Sequence, residues 1–161
     1  MADFIRLATH ADAPQILELT HRAYESIRQL GLGFPAASAD LEMVKNNIQR
    51  NRCYVSLVDH VICSTVSVAE ATTVRTVIDY PFDLPFIWWF ATDPIYEKKG
   101  IGGRLLDEVE ATILRELHAR AVTLSTSARH PWLVEMYQRR GYEKVYESHR
   151  GSSVILKKNL F

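Results

Sequence analysis

The stretch Thr92-Asp93-Pro94-Ile95-Tyr96-Glu97-Lys98-Lys99-Gly100-Ile101-Gly102-Gly103-Arg104-Leu105 decides how this 161-residue chain is read. Just before it, Ile87-Trp88-Trp89-Phe90-Ala91 is an unbroken apolar run that stops near Pro94, as a buried strand does. Beyond the glycines, Ile101, Leu105, Leu106, Val109, Ile113 and Leu117 recur at helical spacing. A glycine turn between a strand and a helix start leaves backbone N–H groups outside the helical ladder and directs them at one point. The helix dipole adds partial positive charge there. The stretch therefore predicts an anion site, with phosphate the first candidate.

Working outward, Phe4–Ala8 predicts a short strand, and Asp12 a helix N-cap with Pro14 in the first turn and Gln15 in the capping-box position. Ile16, Leu19, Ala23, Tyr24 and Ile27 then share one helical face up to about Gln29. Gly31–Pro35 reads as a loop, and Ser38 or Asp40 starts a second helix carrying Leu41, Val44 and Ile48. Cys53–Val58 and Val61–Ala71 predict two strands joined by a tight turn at Asp59-His60. Thr72–Pro85, with Tyr80, Pro81, Phe82 and Pro85, either extends the hairpin or forms a loop over a site.

On the C-terminal side, Val122–Thr126 predicts a strand. Pro131 at a first helical position leads into Leu133, Met136 and Tyr137, and Gly141 closes the helix in the left-handed conformation. Tyr142–Glu147 and Ser152–Lys157 form a last hairpin turning at His149-Arg150-Gly151. The order β-α-α-β-β-β-α-β-α-β-β describes one α/β domain over residues 1–161 with a mixed sheet.

Composition excludes several classes. Lys and Arg number 19 against 19 Asp and Glu, and this zero balance argues against a general nucleic-acid or anionic-membrane binder. The balance is uneven along the chain. Arg120, Arg129, Arg139, Arg140, Lys144, Arg150, Lys157 and Lys158 face only Glu135, Glu143 and Glu147 in the last quarter. That excess is either a solvated surface or a site for a polyanionic small molecule. Cys53 and Cys63 sit among apolar residues without metal-ligand spacing, which predicts buried free thiols. No apolar run approaches the ~18 residues of a membrane span, and no signal-peptide core is present at the N-terminus. The expectation is a soluble cytoplasmic protein without a metal.

Three phosphate turns compete for Gly100–Leu105. A Walker A loop needs four residues between its glycines and then Lys-Ser/Thr, and neither is present. A dinucleotide fingerprint needs a glycine at its sixth position, where Leu105 stands, and an acidic residue about twenty positions on, where Thr123-Leu124-Ser125 stands. The third turn fits better. Thr92 through Leu106 is similar to the acyl-CoA turn of the GNAT acetyltransferase superfamily, Gln/Arg-x-x-Gly-x-Gly/Ala after a strand ending near Val-x-Pro, with Glu97 where Gln or Arg is usual and Thr92 where Val is usual. His130-Pro131-Trp132-Leu133-Val134-Glu135-Met136-Tyr137-Gln138-Arg139-Arg140-Gly141-Tyr142 resembles the same family's Asn-x6-Tyr-x3-Gly-Phe/Tyr, with His130 for Asn. Ile5-Arg6-Leu7-Ala8-Thr9 and Asp12 resemble its first strand and helix, so the resemblance covers nearly the whole chain.

The resemblance implies a GNAT fold: a central mixed, largely antiparallel sheet flanked by helices. Its parallel pair, Ile87–Thr92 and Val122–Thr126, would splay and hold acyl-CoA in the opening. The pantetheine arm would bond to the backbone of Phe90, Ala91 and Thr92 as an added strand. The pyrophosphate would rest on the amides of Lys98, Lys99, Gly100, Ile101, Gly102 and Gly103, where absent Cβ atoms allow close approach. Lys98, Lys99 and Arg104 would add charge, or simply form a solvated first helical turn, and Glu97 would point to solvent. His130 would contact the cofactor arm in place of the family's Asn.

For catalysis, the resemblance implies Tyr137 as the general acid that protonates the leaving sulfur, with a strand N–H polarising the thioester carbonyl. The glutamate that a protein-N-terminus-acting subgroup carries twelve positions earlier is replaced by Ser125, and the acidic residue at the start of the first splayed strand by Phe86. Glu70, Asp79 and Asp83 remain as carboxylates, and a water chain is an equal route for the proton. Phe86, Trp88, Trp89 and Tyr80 concentrate aromatic surface near that strand, as core or as an apolar acceptor pocket. The expectation is transfer of acetyl from acetyl-CoA to a primary amine, small-molecule or peptide, by direct attack. A homodimer fits the family. A catalytically silent acyl-CoA-binding or sensing domain is the alternative, and a dinucleotide-dependent redox domain a third.

Overall fold

The computed structural model describes residues 4–29, 38–128, 132–148 and 153–160. His130, Pro131, the loop Gly31–Pro35 and the turn at His149-Arg150-Gly151 lie outside the described residues. Among the described residues seven strands form one sheet in the order β1-β2-β3-β4-β5-β7-β6. They are β1 (Phe4–Leu7), β2 (Arg52–Val58), β3 (Val61–Ala69), β4 (Phe86–Thr92), β5 (Ala121–Ser127), β6 (Glu143–Glu147) and β7 (Ser153–Asn159). The helices are α1 (Ala13–Gln29), α2 (Leu41–Arg50), α3 (Ala71–Val74), α4 (Ile101–Glu116) and α5 (Leu133–Arg139). The sheet is mixed and largely antiparallel, with β4 and β5 parallel at Phe86–Thr123 and Ile87–Leu124. The described residues gather into two compact units, one drawn from those within 4–68 and 89–109, the other from those within 69–88 and 110–160.

In the first unit, β1, β2 and β3 pair antiparallel. Asp59 and His60 have φ of 51° and 67°. Positive φ at both central residues is the signature of a turn whose twist matches the strands it joins. Of the face of α1 predicted from periodicity, Ile16, Leu19 and Tyr24 are buried and Ala23 half-buried, and Ile16 and Leu19 join Ala13 against Val44 of α2 and Cys53, Val55 and Ile62 of the hairpin. Asp40 settles the start of α2, because its carboxylate accepts the Met43 amide at 2.9 Å.

The expected N-cap at Asp12 is corrected. A short 3-10 turn, His10–Asp12, precedes α1 and is capped by Thr9. Asp12 occupies the third position of that turn and reaches back to accept the Thr9 amide at 2.7 Å, which leaves no capping role for Gln15. Arg6 forks onto the same carboxylate at 2.7 and 3.0 Å, and this ion pair with the Thr9 bond holds the Asp12 carboxyl below the usual range.

In the second unit, β7 lies between β5 and β6, antiparallel to both. The segment Thr72–Pro85 does not extend the hairpin. The strand expected to reach Ala71 stops at Ala69, because Ala71 opens α3 behind Glu70, and the Arg75 guanidinium then gathers the loop by donating to the carbonyls of Tyr80 and Phe82. Tyr80 is buried, donates to the Leu84 carbonyl at 2.8 Å and lies 2.6 Å from the Thr123 hydroxyl. Helix α5 begins at Leu133 with Trp132 as its N-cap, and the expected helix-start Pro131 lies outside the described residues. Among the described residues no helix is long and apolar enough to cross a membrane.

Candidate functional site

The glycine turn forms as its residue types dictate. Asp93 ends β4 and caps a 3-10 turn, Pro94–Tyr96, by accepting the Ile95 amide at 3.2 Å. Lys98 and Gly100 then take φ of 64° and 77°. The left-handed region is open to glycine without a Cβ penalty, and Lys98 carries a strained value beside it. The first helical bond of α4 runs from the Arg104 amide to the Gly100 carbonyl at 2.9 Å. The amides of Ile101, Gly102 and Gly103 therefore precede the α4 ladder, at the positive end of a 16-residue helix.

The two key glycines serve different ends. A Cβ on Gly102 would lie 2.6 Å from Thr92 Oγ1 and 3.3 Å from Phe90 Cζ. The absent side chain at Gly102 thus lets α4 dock against the end of β4. Close approach to a phosphate is not its only rationale. At Gly100 the positive φ itself demands glycine. Ile101 turns its side chain into the core with Val58 and Cys63, and only its backbone is available to a ligand.

Lys98, Lys99 and Arg104 are exposed, as is Glu97. Lys99 Nζ stands 5.7 Å from the centre of the Tyr96 ring, and Arg104 Nη1 folds back to the Lys99 carbonyl at 3.2 Å. The turn thus unites a helix N-terminus, left-handed backbone and three cationic side chains, a chemistry that suits a pyrophosphate.

In the same unit the second half of β4 is held by side chains that sequence reading missed. Tyr24 Oη donates to the Phe90 carbonyl at 3.0 Å, and its burial pushes the phenol far above its ordinary pKa. Ser64 Oγ donates to the Ala91 carbonyl at 3.1 Å and lies 3.0 Å from Thr92 Oγ1. Arg22 binds the buried Asp93 carboxylate at 2.6 and 3.1 Å. Trp89 sits in mid-strand with φ of 56°, a conformation worth about 1–3 kcal/mol of strain for a bulky residue. Its indole Nε1 donates to Thr20 Oγ1 at 3.0 Å, and Thr20 passes its own proton to the Ile16 carbonyl at 2.7 Å. The available signal was a polar Thr20 one helical turn from Tyr24 on the apolar face of α1.

The second unit carries Tyr137. The bonds from the Gly141 amide to Gln138 and from the Tyr142 amide to Tyr137, at 3.0 and 3.1 Å, form a Schellman cap around Gly141, whose φ is 96°. The ring centres of Tyr137 and Tyr142 lie 5.7 Å apart, edge to face, which supplies the apolar contact that accompanies such a cap. The spacing Tyr-x3-Gly-Tyr is therefore a helix stop as well as a candidate catalytic motif. Tyr142 donates to Glu110 Oε2 at 2.8 Å, and Lys158 binds Oε1 of the same buried carboxylate at 2.7 Å. Glu110, a lone carboxylate on the apolar stripe of α4, went unread in the sequence.

Of the other sequence candidates, Glu70 stands at the N-cap position of α3 with no cap bond from its side chain, Asp79 accepts from the Tyr146 hydroxyl, and the exposed Asp83 lies 3.8 Å from Arg75. Tyr80, Phe82, Phe86, Trp88 and Tyr146 form a chain of edge-to-face rings, so this part of the aromatic concentration is core. Trp88 Nε1 is buried there without a hydrogen-bond partner. Cys53 and Cys63 are free and buried, and burial pushes the Cys53 thiol up. A raised thiol pKa disfavours the nucleophilic thiolate.

Comparison with known proteins bears on this geometry. A family profile described as an acetyltransferase (GNAT) domain matches residues 4–145. The chain is 47% identical over 159 residues to an S-(2-succino)cysteine N-acetyltransferase of Bacillus subtilis (strain 168), covering 96% of this chain and 94% of the relative. It is 42% identical over 154 residues to an S-alkylcysteine N-acetyltransferase of the same organism, covering 94% of this chain and 85% of that one. Among solved structures, the PaiA N-acetyltransferase of Thermoplasma acidophilum in complex with coenzyme A superposes with a TM-score of 0.78. It shares 17% identity, with 99% of each chain covered.

Proposed function

Because the chain belongs to the GNAT acetyltransferase family and is an N-acetyltransferase, we propose that it moves acetyl from acetyl-CoA to the α-amine of an S-substituted cysteine. The observation that carries this reading is the pair of full-length relatives. Their names share a cysteine head carrying the acetylated nitrogen and differ in what the sulfur bears. The head is therefore the proposed constant of recognition, and the sulfur substituent the variable.

On this reading the amides and cations of residues 98–104 take the pyrophosphate. Strand alternation supports a role for the backbone of β4 on the pantetheine arm. The Asp93 amide donates to the Cys63 carbonyl of β3 at 2.8 Å, so Ala91 also faces β3 while Phe90 and Thr92 face away from it. Phe90 and Thr92 are thus the better backbone partners, and Ala91 contributes less than expected. His130 remains a proposed contact to the same arm.

The neutral α-amine attacks the thioester carbonyl carbon, an N–C bond forms, and the carbonyl electron pair moves to oxygen. Collapse of that oxyanion breaks the C–S bond. The nitrogen gives its surplus proton to water, and Tyr137 protonates the departing thiolate before regaining a proton from solvent. None of Glu70, Asp79 and Asp83 is needed as a base on this route.

The test is release of free coenzyme A from acetyl-CoA across S-(2-succino)cysteine, S-methylcysteine, free lysine and spermidine. The S-substituted cysteines should be the fastest acceptors. Faster turnover of lysine or spermidine would overturn the acceptor assignment. Tight acetyl-CoA binding without turnover on any amine would establish a silent binding domain instead.

A further inference from the structure

We propose that Thr20 is a positioning residue for acyl transfer: it locks Trp89 in its left-handed conformation and so aims a backbone amide of β4 at the thioester carbonyl. This rests on the acyl-CoA reading above. A strand residue normally has φ near −120° to −140°. At 56°, Trp89 rotates the peptide that enters it by about half a turn from its ladder orientation. A mid-strand amide turned in this way points off the ladder direction, the orientation an oxyanion donor needs.

Such a conformation persists only where its surroundings over-determine it. Trp89 is anchored at its ring, which packs against the cluster of Ile16, Leu19 and Val55 and against Tyr24. Its one polar atom is committed to Thr20 Oγ1 at 3.0 Å. Thr20 is wholly buried, and its hydroxyl proton is fixed on the Ile16 carbonyl, so the oxygen presents a lone pair to the indole. One turn on, Tyr24 fixes the peptide that leaves Phe90 through the Phe90 carbonyl. Helix α1 thus sets the backbone of β4 at two successive residues.

Two substitutions cut the indole–hydroxyl bond from opposite sides. Thr20→Val keeps the shape and deletes the acceptor, and Trp89→Phe deletes the donor. Thr20→Ser retains the hydroxyl and serves as the rescue. The direct readout is isotope-edited infrared spectroscopy of bound acetyl-CoA labelled with carbon-13 at the acetyl carbonyl. Wild type and Thr20→Ser should show the carbonyl band lowered from its free value. Thr20→Val and Trp89→Phe should return it toward free acetyl-CoA. In turnover, both cut variants should lose roughly tenfold or more in kcat with the KM for acetyl-CoA changed by less than about twofold.

An identical band in wild type and both cut variants would overturn the proposal, as would a wild-type band that does not move on binding. Absence of acetyl-CoA binding would remove the acyl-CoA reading and the positioning role with it. A lowered band in wild type without transfer to any cysteine derivative would refute the acceptor assignment and leave the role of Thr20 standing.

Discussion

Gly102→Ala tests whether the glycine turn is built for helix-on-strand approach. The added Cβ would sit 2.6 Å from Thr92 Oγ1, well inside contact distance, and 3.3 Å from the Phe90 ring. Thr92 cannot rotate away without disturbing its 3.0 Å contact with Ser64 Oγ. If space were free, replacing glycine in the first turn of α4 would stabilise the fold by about 0.4–1 kcal/mol through the unfolded state. Overpacking a close contact instead costs about 1–3 kcal/mol. The clash should win, giving a net loss of about 1–2 kcal/mol, or roughly 2–8 °C in Tm for a chain of this size. Urea unfolding at unchanged slope, with calorimetric titration of acetyl-CoA, would read both stability and the displaced amides. Thr92→Ala should relieve the contact, so the double variant should lose less than the sum by about 1 kcal/mol. A neutral or stabilised Gly102→Ala with unchanged acetyl-CoA affinity would refute the reasoning.

Two further outcomes are expected. Tyr137→Phe should lower kcat by roughly 10²-fold while acetyl-CoA affinity stays nearly constant, because the ring and its packing on Tyr142 survive and only the acidic proton is lost; unchanged turnover would reduce Tyr137 to a helix-capping residue. Asp12→Asn should cost about 1–2 kcal/mol at neutral pH by weakening the Arg6 and Thr9 bonds. Since folding lowers the Asp12 pKa, its contribution is full above the unfolded value of about 3.9 and fades as pH falls through the folded one. The gap between wild type and variant, measured by denaturant unfolding across pH, should therefore shrink in acid and stay level from about pH 5 upward.

The order of strands and longer helices was legible because each carries a local signal, whereas the four-residue α3 was too short to show a period. The apolar stripe of α4, the Asp59-His60 turn and the Gly141 stop depend on residues close in sequence, and all three stand where periodicity and turn chemistry put them. The error near Asp12 has a physical source: Thr9 and Asp12 are both cap-competent, and the Arg6 fork holds Asp12 where it reaches back to the Thr9 amide. The glycine turn was legible as an anion site, but the reason for Gly102 was not, since its neighbour Thr92 is ten residues earlier and meets it only after folding. The hold of α1 on β4 was invisible for the same reason. Thr20 and Trp89 are 69 residues apart, and a positive φ at a tryptophan contradicts local preference.

The central claim is transfer of acetyl to the α-nitrogen of an S-substituted cysteine, and carbon-13 NMR of the reaction tests it directly. With acetyl-CoA labelled at the acetyl carbonyl and S-(2-succino)cysteine as acceptor, the label should leave the thioester and appear as an amide on the cysteine α-nitrogen. Label retained in acetyl-CoA, or released only as free acetate, would contradict it.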